Sequence, residues 1–514
     1  LVKQVQKQSE PNVKPRKRKL LKTLLFIFLP LLLLLFFGEA LLRLSGFKGY
    51  QLDPTVYRNV PGDMTPRQDF IHYNPHTGVS CHIRINKQGF RGKGLLDKDR
   101  PCTILCLGDS SMMGYGVDEG YSAPDLLREW IDMDYPGIFE VINAASIGYT
   151  IDDELDFLRE KGPRIDPDVV LLEIFYNDVT EKEWRTRSGW GTQREFRRAR
   201  MPYTPLRSLM IRSALFQALR NGLIELLLKS GKYFPPNRTD MMDVAMYPSK
   251  HPQPWQSYDS VLRDFIDFLE KRKIPLLVAV TPHQYQLHSW GHPIASYEGE
   301  RQYQDHFLEL LREKGVPAVD LMPVYQSSMK EIPSLYLTGG MYDEHPSSAG
   351  QYIKAREMYS RLTEILEKKG FYNFYRHFDE ATTTGKAHTG RLWVSRGDAP
   401  SLVLEQGSTA LFRDIPLGAH PVLRFYAVMP WYSKGGDPSL RILVRDMKTA
   451  EEMETFSRVF KESKKEKTSV FEIPLVPFAG RSISVKWSVE AGDDGASVCI
   501  MAPIIMECGK EMSE

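Results

Sequence analysis

The stretch from residue 102 to residue 117, Cys-Thr-Ile-Leu-Cys-Leu-Gly-Asp-Ser-Ser-Met-Met-Gly-Tyr-Gly-Val, constrains the fold of this chain more than any other. The run from Thr103 to Leu107 is continuously apolar and β-branched in part, which predicts a strand covered on both faces. Gly108 then turns the chain and leaves Asp109 and Ser110 at the strand's carboxyl end, where an open α/β sheet keeps its active site. A lone hydroxyl is a weak attacker near neutral pH, so Ser110 needs a base and oxyanion donors from elsewhere. Three later stretches offer them: Asn143-Ala-Ala-Ser-Ile-Gly148, Asn177-Asp178 and Asp343-Glu-His345-Pro.

From residue 102 the pattern alternates. Strands are expected at 102–107, 138–142, 169–175, 275–280 and 316–321, with helices near 122–133, 151–161, 257–272, 300–314 and 347–369. Apolar strands in βαβ rhythm imply a parallel five-stranded sheet with helices on both faces, a three-layer α/β domain over residues 101–370. One insertion, residues 180–256, comes directly after the Asn177 block. Its first part is basic and aromatic (Trp184, Arg187, Trp190, Arg194, Arg200), and its second, Leu206 to Leu228, has an apolar stripe at helical spacing. Such an insertion either walls the site, its arginines then favouring an acidic substrate or anionic headgroups, or is a solvated loop with one packing helix.

The four blocks resemble those of the SGNH (GDSL-type) hydrolases, in the family's order and with the spacing that successive βα units impose. The resemblance implies a flavodoxin-like strand order 2-1-3-4-5. It also assigns Ser110 as nucleophile, His345 as base, and the backbone N–H groups of Ser110 and Gly148 with the Asn177 amide as oxyanion hole. The family's orienting aspartate stands three residues before the histidine, where this chain has Tyr342; Asp343 is the nearest carboxylate and is taken as the third member, ahead of Glu344. Phe175 and Tyr176 also replace the glycine that the family favours before its Asn-Asp. Each block has a plain structural reading too, Ser110 as a helix cap and Asn177 as the closure of a turn. Neither a cofactor nor a metal is expected, since no Cys/His spacing resembles a zinc site.

The two ends of the chain carry different signals. Net charge is +2, which points away from nucleic acid, and the basic residues that stand out are Lys14, Arg16, Lys17, Arg18, Lys19 and Lys22 ahead of the apolar run Leu24 to Phe37. A basic flank of that kind stays in the cytoplasm, and the chain beyond the apolar run is exported. Residues 1–22 thus read as a cytoplasmic tail, 23–44 as a transmembrane anchor, and 45–100 as a juxtamembrane stalk ending in an edge strand. A cleaved signal peptide is the other reading, although no small-x-small site stands after Phe37. Histidines 72, 76 and 82 in the stalk read as exposed loop residues rather than a metal site.

Beyond Gly370 seven short alternating runs predict an all-β sandwich over residues 371–514. Trp431, Tyr432 and Trp487 are there either to stack on sugar rings or to fill the core. Cys102 and Cys106 share a face of one strand and favour packing, while Cys499 and Cys508 leave room for one disulfide. The expected function is a membrane-anchored, exported serine esterase acting on acylated carbohydrate. A polysaccharide O-acetyltransferase using the same site, and a non-catalytic glycan-binding envelope protein, are the alternatives.

Overall fold

The computed structural model describes residues 14–47, 60–73, 80–96, 100, 102–181, 194, 210, 213–229, 238–287, 297–331, 345–394, 397–429, 433, 436–460, 469–490 and 496–507. Its helices are α1 (Lys14–Leu44), α2 (Ser110–Met113), α3 (Ala123–Asp134), α4 (Ile151–Ile165), α5 (Ala214–Lys229), α6 (Arg238–Met246), α7 (Pro252–Glu270), α8 (Gln284–Leu287), α9 (Gln302–Glu313), α10 (Met322–Ser328) and α11 (Ser348–Lys368). Strands β1 (Gln68–Tyr73) and β2 (Ser80–Ile85) precede the central five, β3 (Cys102–Leu107), β4 (Phe139–Asn143), β5 (Val169–Ile174), β6 (Leu276–Val280) and β7 (Ala318–Asp320).

The central sheet is wholly parallel in the order β4-β3-β5-β6-β7, which is 2-1-3-4-5 counted within the domain. Alternate residues of each strand feed two separate cores. Ile104 and Cys106 of β3 pack with Leu127 and Ile131 of α3 and with Met358 and Leu362 of α11. Leu105 and Leu107 pack with Leu155 and Leu158 of α4 and Leu262 and Phe265 of α7. Both faces are therefore covered, which is why the strands read as unbroken apolar runs.

β1 and β2 pair antiparallel, so this stretch holds two strands where the sequence led us to expect one edge strand. Cys81, Ile83 and Ile85 are buried in the first core. Arg91, fully buried, bridges to Asn143 at the end of β4 and donates through its guanidinium to the carbonyls of Gly114 at 2.7 Å and Val117 at 2.6 Å. The chain before the sheet thus braces the loop after α2. His72 is buried, not exposed, and His82 is held by Asp69 at 2.6 Å; His76 lies outside the described residues.

After α11 come β8 (Tyr372–Asn373), β9 (Thr382–Thr384), β10 (Ala387–Val394), β11 (Gly397–Glu405), β12 (Thr409–Pro416), β13 (Pro421–Val428), β14 (Ser439–Asp446), β15 (Glu452–Val459), β16 (Ser469–Pro474), β17 (Ser482–Glu490) and β18 (Ser497–Glu507). They make two antiparallel sheets, β10-β11-β18-β13-β16 with β8 on β18, and β15-β14-β17-β12-β9, facing each other across one apolar core. The sandwich therefore has more strands than the seven expected. β15 escaped because it is an exposed edge strand with mostly polar residues, and β12 because a bulge between Phe412 and Ile415 breaks its alternation. Trp487 is fully buried between Phe374 and Phe425 and is core; Trp431, Tyr432 and Cys508 lie outside the described residues.

Helix α1 keeps Phe26 to Phe37 exposed, and its segment Phe26–Leu44 is long and apolar enough to cross a membrane.

Candidate active site

The three ends of β3, β4 and β5 meet at one rim, and each delivers one block. After β3, Gly108 adopts φ 150°, and a Cβ there would stand 2.6 Å from Met112 Cβ, so no side chain fits beneath the turn. Asp109 then caps α2, its Oδ1 accepting from the Ser111 N–H at 2.7 Å. Ser110 is consequently the first residue of α2 and buried, with its hydroxyl at the rim. His345 lies just ahead of α11, and its Nε2 is 2.8 Å from Ser110 Oγ. The nearest other acceptor, Asp109 Oδ2, is 3.5 Å away, so the imidazole is the hydroxyl's main partner.

Gly148 comes after β4 with φ 65°, a left-handed turn conformation that suits glycine. The loop before it is laced to the nucleophile strand, Ala144 N–H donating to Cys106 O at 3.0 Å and Ser146 N–H to Gly108 O at 3.1 Å. Asn143, the first residue of that block, donates from Nδ2 to Met113 O at 3.2 Å and so fastens α2 to β4. Asn177 opens the turn after β5, and its Nδ2 donates to Glu181 Oε1 at 3.1 Å. A side-chain amide has two N–H bonds, so Glu181 orients the group and leaves one for another acceptor. Asp343 and Glu344 lie outside the described residues.

Phe175 and Tyr176, in place of the small residue, are both buried, and their rings meet edge to face at 4.9 Å. Tyr176 also packs on His283 at 4.4 Å, so the bulk turns into the core beneath the rim.

Several residues that sequence reading passed over stand directly behind Ser110. Glu173 of β5 and Lys354 of α11 are both fully buried and paired at 2.6 Å. Ser111 donates from Oγ to Glu173 Oε1 at 2.8 Å, and Lys354 Nζ reaches Ser111 Oγ at 2.9 Å and Ser111 O at 3.3 Å. Thr281 donates to the same Glu173 oxygen, and Gln351 Nε2 donates to Ser111 O at 2.9 Å. This network ties the nucleophile's neighbour to β5, β6 and the helix that begins three residues after His345. A lone acid in the run Val-Val-Leu-Leu-Glu-Ile, and a lysine on the apolar face of a helix, were its only signals in the sequence. Tyr115 adds a second brace, its ring 4.8 Å from that of His345 and its hydroxyl 2.7 Å from His72 Nε2.

The rim is also rich in buried acid. Burial, then the neighbouring Glu173, pushes Asp109 up to about 6 despite its bond from Ser111 N–H and the attraction of His345. Burial raises Glu154 and Asp178 well above the usual carboxylate range, helped by repulsion from Asp153 at Glu154 and from Asp109 at both. Glu154 Oε1 and Asp178 Oδ1 have no hydrogen-bond partner among the described residues. Burial thus favours the protonated form of both groups.

Arg194, the one described arginine of the basic part of the insertion, is not a ligand-seeking residue. It is buried and ion-paired with Asp63 at 2.5 Å and Glu160 at 3.0 Å, while Lys161 joins Asp63 at 2.6 Å. Burial works against the Asp63 carboxylate, but Arg194 and Lys161 together hold it below the usual range.

Residues 106–353 match the GDSL-like lipase/acylhydrolase family. No curated protein matches the sequence. Among solved structures, a two-domain esterase (CEX) active on acetylated mannans shares 13% identity over 81% of this chain and 93% of its own, with a TM-score of 0.29. An acetyl xylan esterase, AlAXEase, shares 16% over 51% of this chain and 99% of its own, at 0.31. The psychrotrophic esterase EstA from Pseudoalteromonas sp. shares 14% over 51% of this chain and 98% of its own, at 0.29. A serine at the carboxyl end of β3 with an imidazole on its hydroxyl is an arrangement suited to ester cleavage, and residues 106–353 are a GDSL-like lipase/acylhydrolase domain, that of an ester-hydrolysing enzyme.

Proposed function

We propose that this protein is an exported, membrane-anchored SGNH serine esterase that removes acyl groups, foremost acetyl, from a glycan through an acyl-Ser110 intermediate. The observation that carries the chemistry is the 2.8 Å contact between Ser110 Oγ and His345 Nε2. His345 takes the hydroxyl proton as Oγ bonds to the ester carbonyl carbon, and gives it to the departing alcohol; a base of this kind is worth about 10²- to 10⁴-fold. In the second half His345 takes a proton from water, the hydroxide adds to the acyl carbon, and the carboxylate leaves as Ser110 regains its proton. The backbone N–H groups of Ser110 and Gly148 and the free N–H of Asn177 hold the oxyanion, and losing one such donor costs about 10²- to 10³-fold. Asp343 orients the imidazole from its far nitrogen.

Anchoring is supported by the basic flank and exposed apolar surface of α1, and the glycan by the appended sandwich. Acetylated mannan, on which the two-domain esterase acts, is the first substrate to try.

The test uses full-length protein in detergent, p-nitrophenyl acetate, and a fluorophosphonate probe. Ser110→Ala and His345→Ala are expected to lower kcat by about 10³-fold or more, and the probe to label Ser110 in the wild type alone. A Ser110→Ala protein as fast as the wild type, with no adduct on either, would make this a non-catalytic domain.

A further inference from the structure

Helix α5 carries an apolar stripe that nothing among the described residues covers: Leu219, Leu223 and Leu226 are 66%, 57% and 64% exposed. They recur at i, i+4 and i+7, one face of a helix. Most surface leucines need no explanation, but a row of them beside another bare apolar surface does. That neighbour is α1. Glu39 of α1 accepts from Ser213 Oγ at 2.8 Å, Ala214 N–H at 3.0 Å and Leu215 N–H at 2.9 Å, so α5 begins on the side of α1. Leu215 also packs at Gly38, where even a Cβ would stand only 3.5 Å away.

The contact is suited to lipid rather than water. In water a glutamate and the first N–H groups of a helix are each satisfied by solvent. Within an apolar segment an unpartnered carboxylate is expensive, and so are bare backbone N–H groups. Here each supplies what the other lacks, and Arg43 completes the set at 2.7 Å from Glu39 Oε1. Glu39 stands five residues before the end of α1 at Leu44, about 8 Å along the axis at 1.5 Å per residue. That depth is where an interfacial helix lies.

We propose that α5 is a second membrane element, embedded through Leu219, Leu223 and Leu226 in the hydrocarbon edge of the same bilayer that α1 crosses, and held there by Glu39. The catalytic domain then rests on the membrane at two points, through the anchor and through the insertion beyond the Asn177 turn. This rests on α1 being a membrane span, and the experiment separates the two claims.

Full-length protein is reconstituted into phosphatidylcholine/phosphatidylglycerol vesicles that contain a lipid with a diazirine in mid acyl chain, irradiated, and mapped by mass spectrometry. Adducts are expected on α1 and on residues 213–229, at a level on the order of tenfold above the sandwich peptides that carry exposed Val470 and Val476. Adducts on α1 with none above that background on α5 would overturn the proposal and leave the anchor standing. Absence from both would remove the anchor reading as well. The triple variant Leu219→Glu, Leu223→Glu, Leu226→Glu should lose the α5 adducts and keep those on α1. Persistence of the α5 adducts in that variant would mean that the leucines are not what enters the lipid. The wild-type map decides the question even if the variant fails to fold.

Discussion

At the residue scale the pair Glu173–Lys354 matters most after Ser110 and His345, because it fixes what lies beneath them. Removing one charge strands the other in a dry core, which costs about 3–5 kcal/mol. Lys354→Met should therefore lower the thermal midpoint sharply, and the double variant with Glu173→Leu should recover much of the loss. Fluorophosphonate labelling of the folded fraction checks the positioning role, since a slackened α2 labels more slowly at equal folded population. The raised acids give a second prediction. Asp109 moves from its ordinary 3.8 to about 6, so the folded state keeps a proton that the unfolded chain gives up. Its contribution is complete below about pH 4 and is lost as pH rises to about 6, of order 3 kcal/mol at 1.4 kcal/mol per pH unit. Asp178 and Glu154 are raised as well, with the same sign. Asp178→Asn, which keeps the acceptor for Phe175 N–H, should gain on the wild type as pH is taken from 5 to 8. Thermal midpoints of the two proteins at both pH values check it; a constant difference would mean that Asp178 is already ionised in the native state at pH 5, so that its pKa is not raised.

Among the elements, the insertion after β5 has the most to explain. Its arginines suggested an anionic partner, yet Arg194 is spent on Asp63 and Glu160 and pins the insertion to α4 and to the chain before β1. Charge visible in a sequence does not say whether it faces solvent or a buried carboxylate. Arg194→Met should cost about 3–5 kcal/mol, because Asp63 loses one of its two cations and keeps only Lys161 and the Tyr149 hydroxyl at 2.7 Å, while kcat of the folded protein changes little. Urea unfolding monitored in parallel with p-nitrophenyl acetate turnover separates the two. The β1–β2 pair makes the same point from the other side: its alternation was legible only in part, and Arg91, which reads as an ordinary turn arginine, holds the loop that carries Tyr115.

Across the whole molecule, α11 connects the two halves. It starts three residues after His345 and runs 21 residues, about 30 Å at 1.5 Å per residue, to where the sandwich begins. There Val422, Ile504 and Met506 share a core with Phe139 and Phe371, and Asn373 donates to Asp134 O at 2.7 Å. These contacts are at the amino-terminal end of β4, away from the rim that carries Ser110. Trp487→Ala, at the centre of the sandwich, should cost about 3–5 kcal/mol and leave turnover of p-nitrophenyl acetate per folded molecule unchanged. Calorimetry with activity assays checks this, and a drop in kcat would show that the sandwich shapes the site.

By itself the sequence determined the parallel five-stranded sheet, because strands buried on both faces must be apolar throughout, and the sandwich after it, because half-buried strands must alternate. It also placed the Gly-Asp-Ser turn at the carboxyl end of the first strand, since only glycine fits at 108. Tertiary structure alone decided the rest: that His345 comes within 2.8 Å of Ser110 across 235 residues, that Lys354 neutralises Glu173, and that Arg194 is buried. Local pattern records how a segment meets solvent or core, but a pairing between distant polar side chains leaves no periodicity and exists only once the sheet has brought the strand ends together.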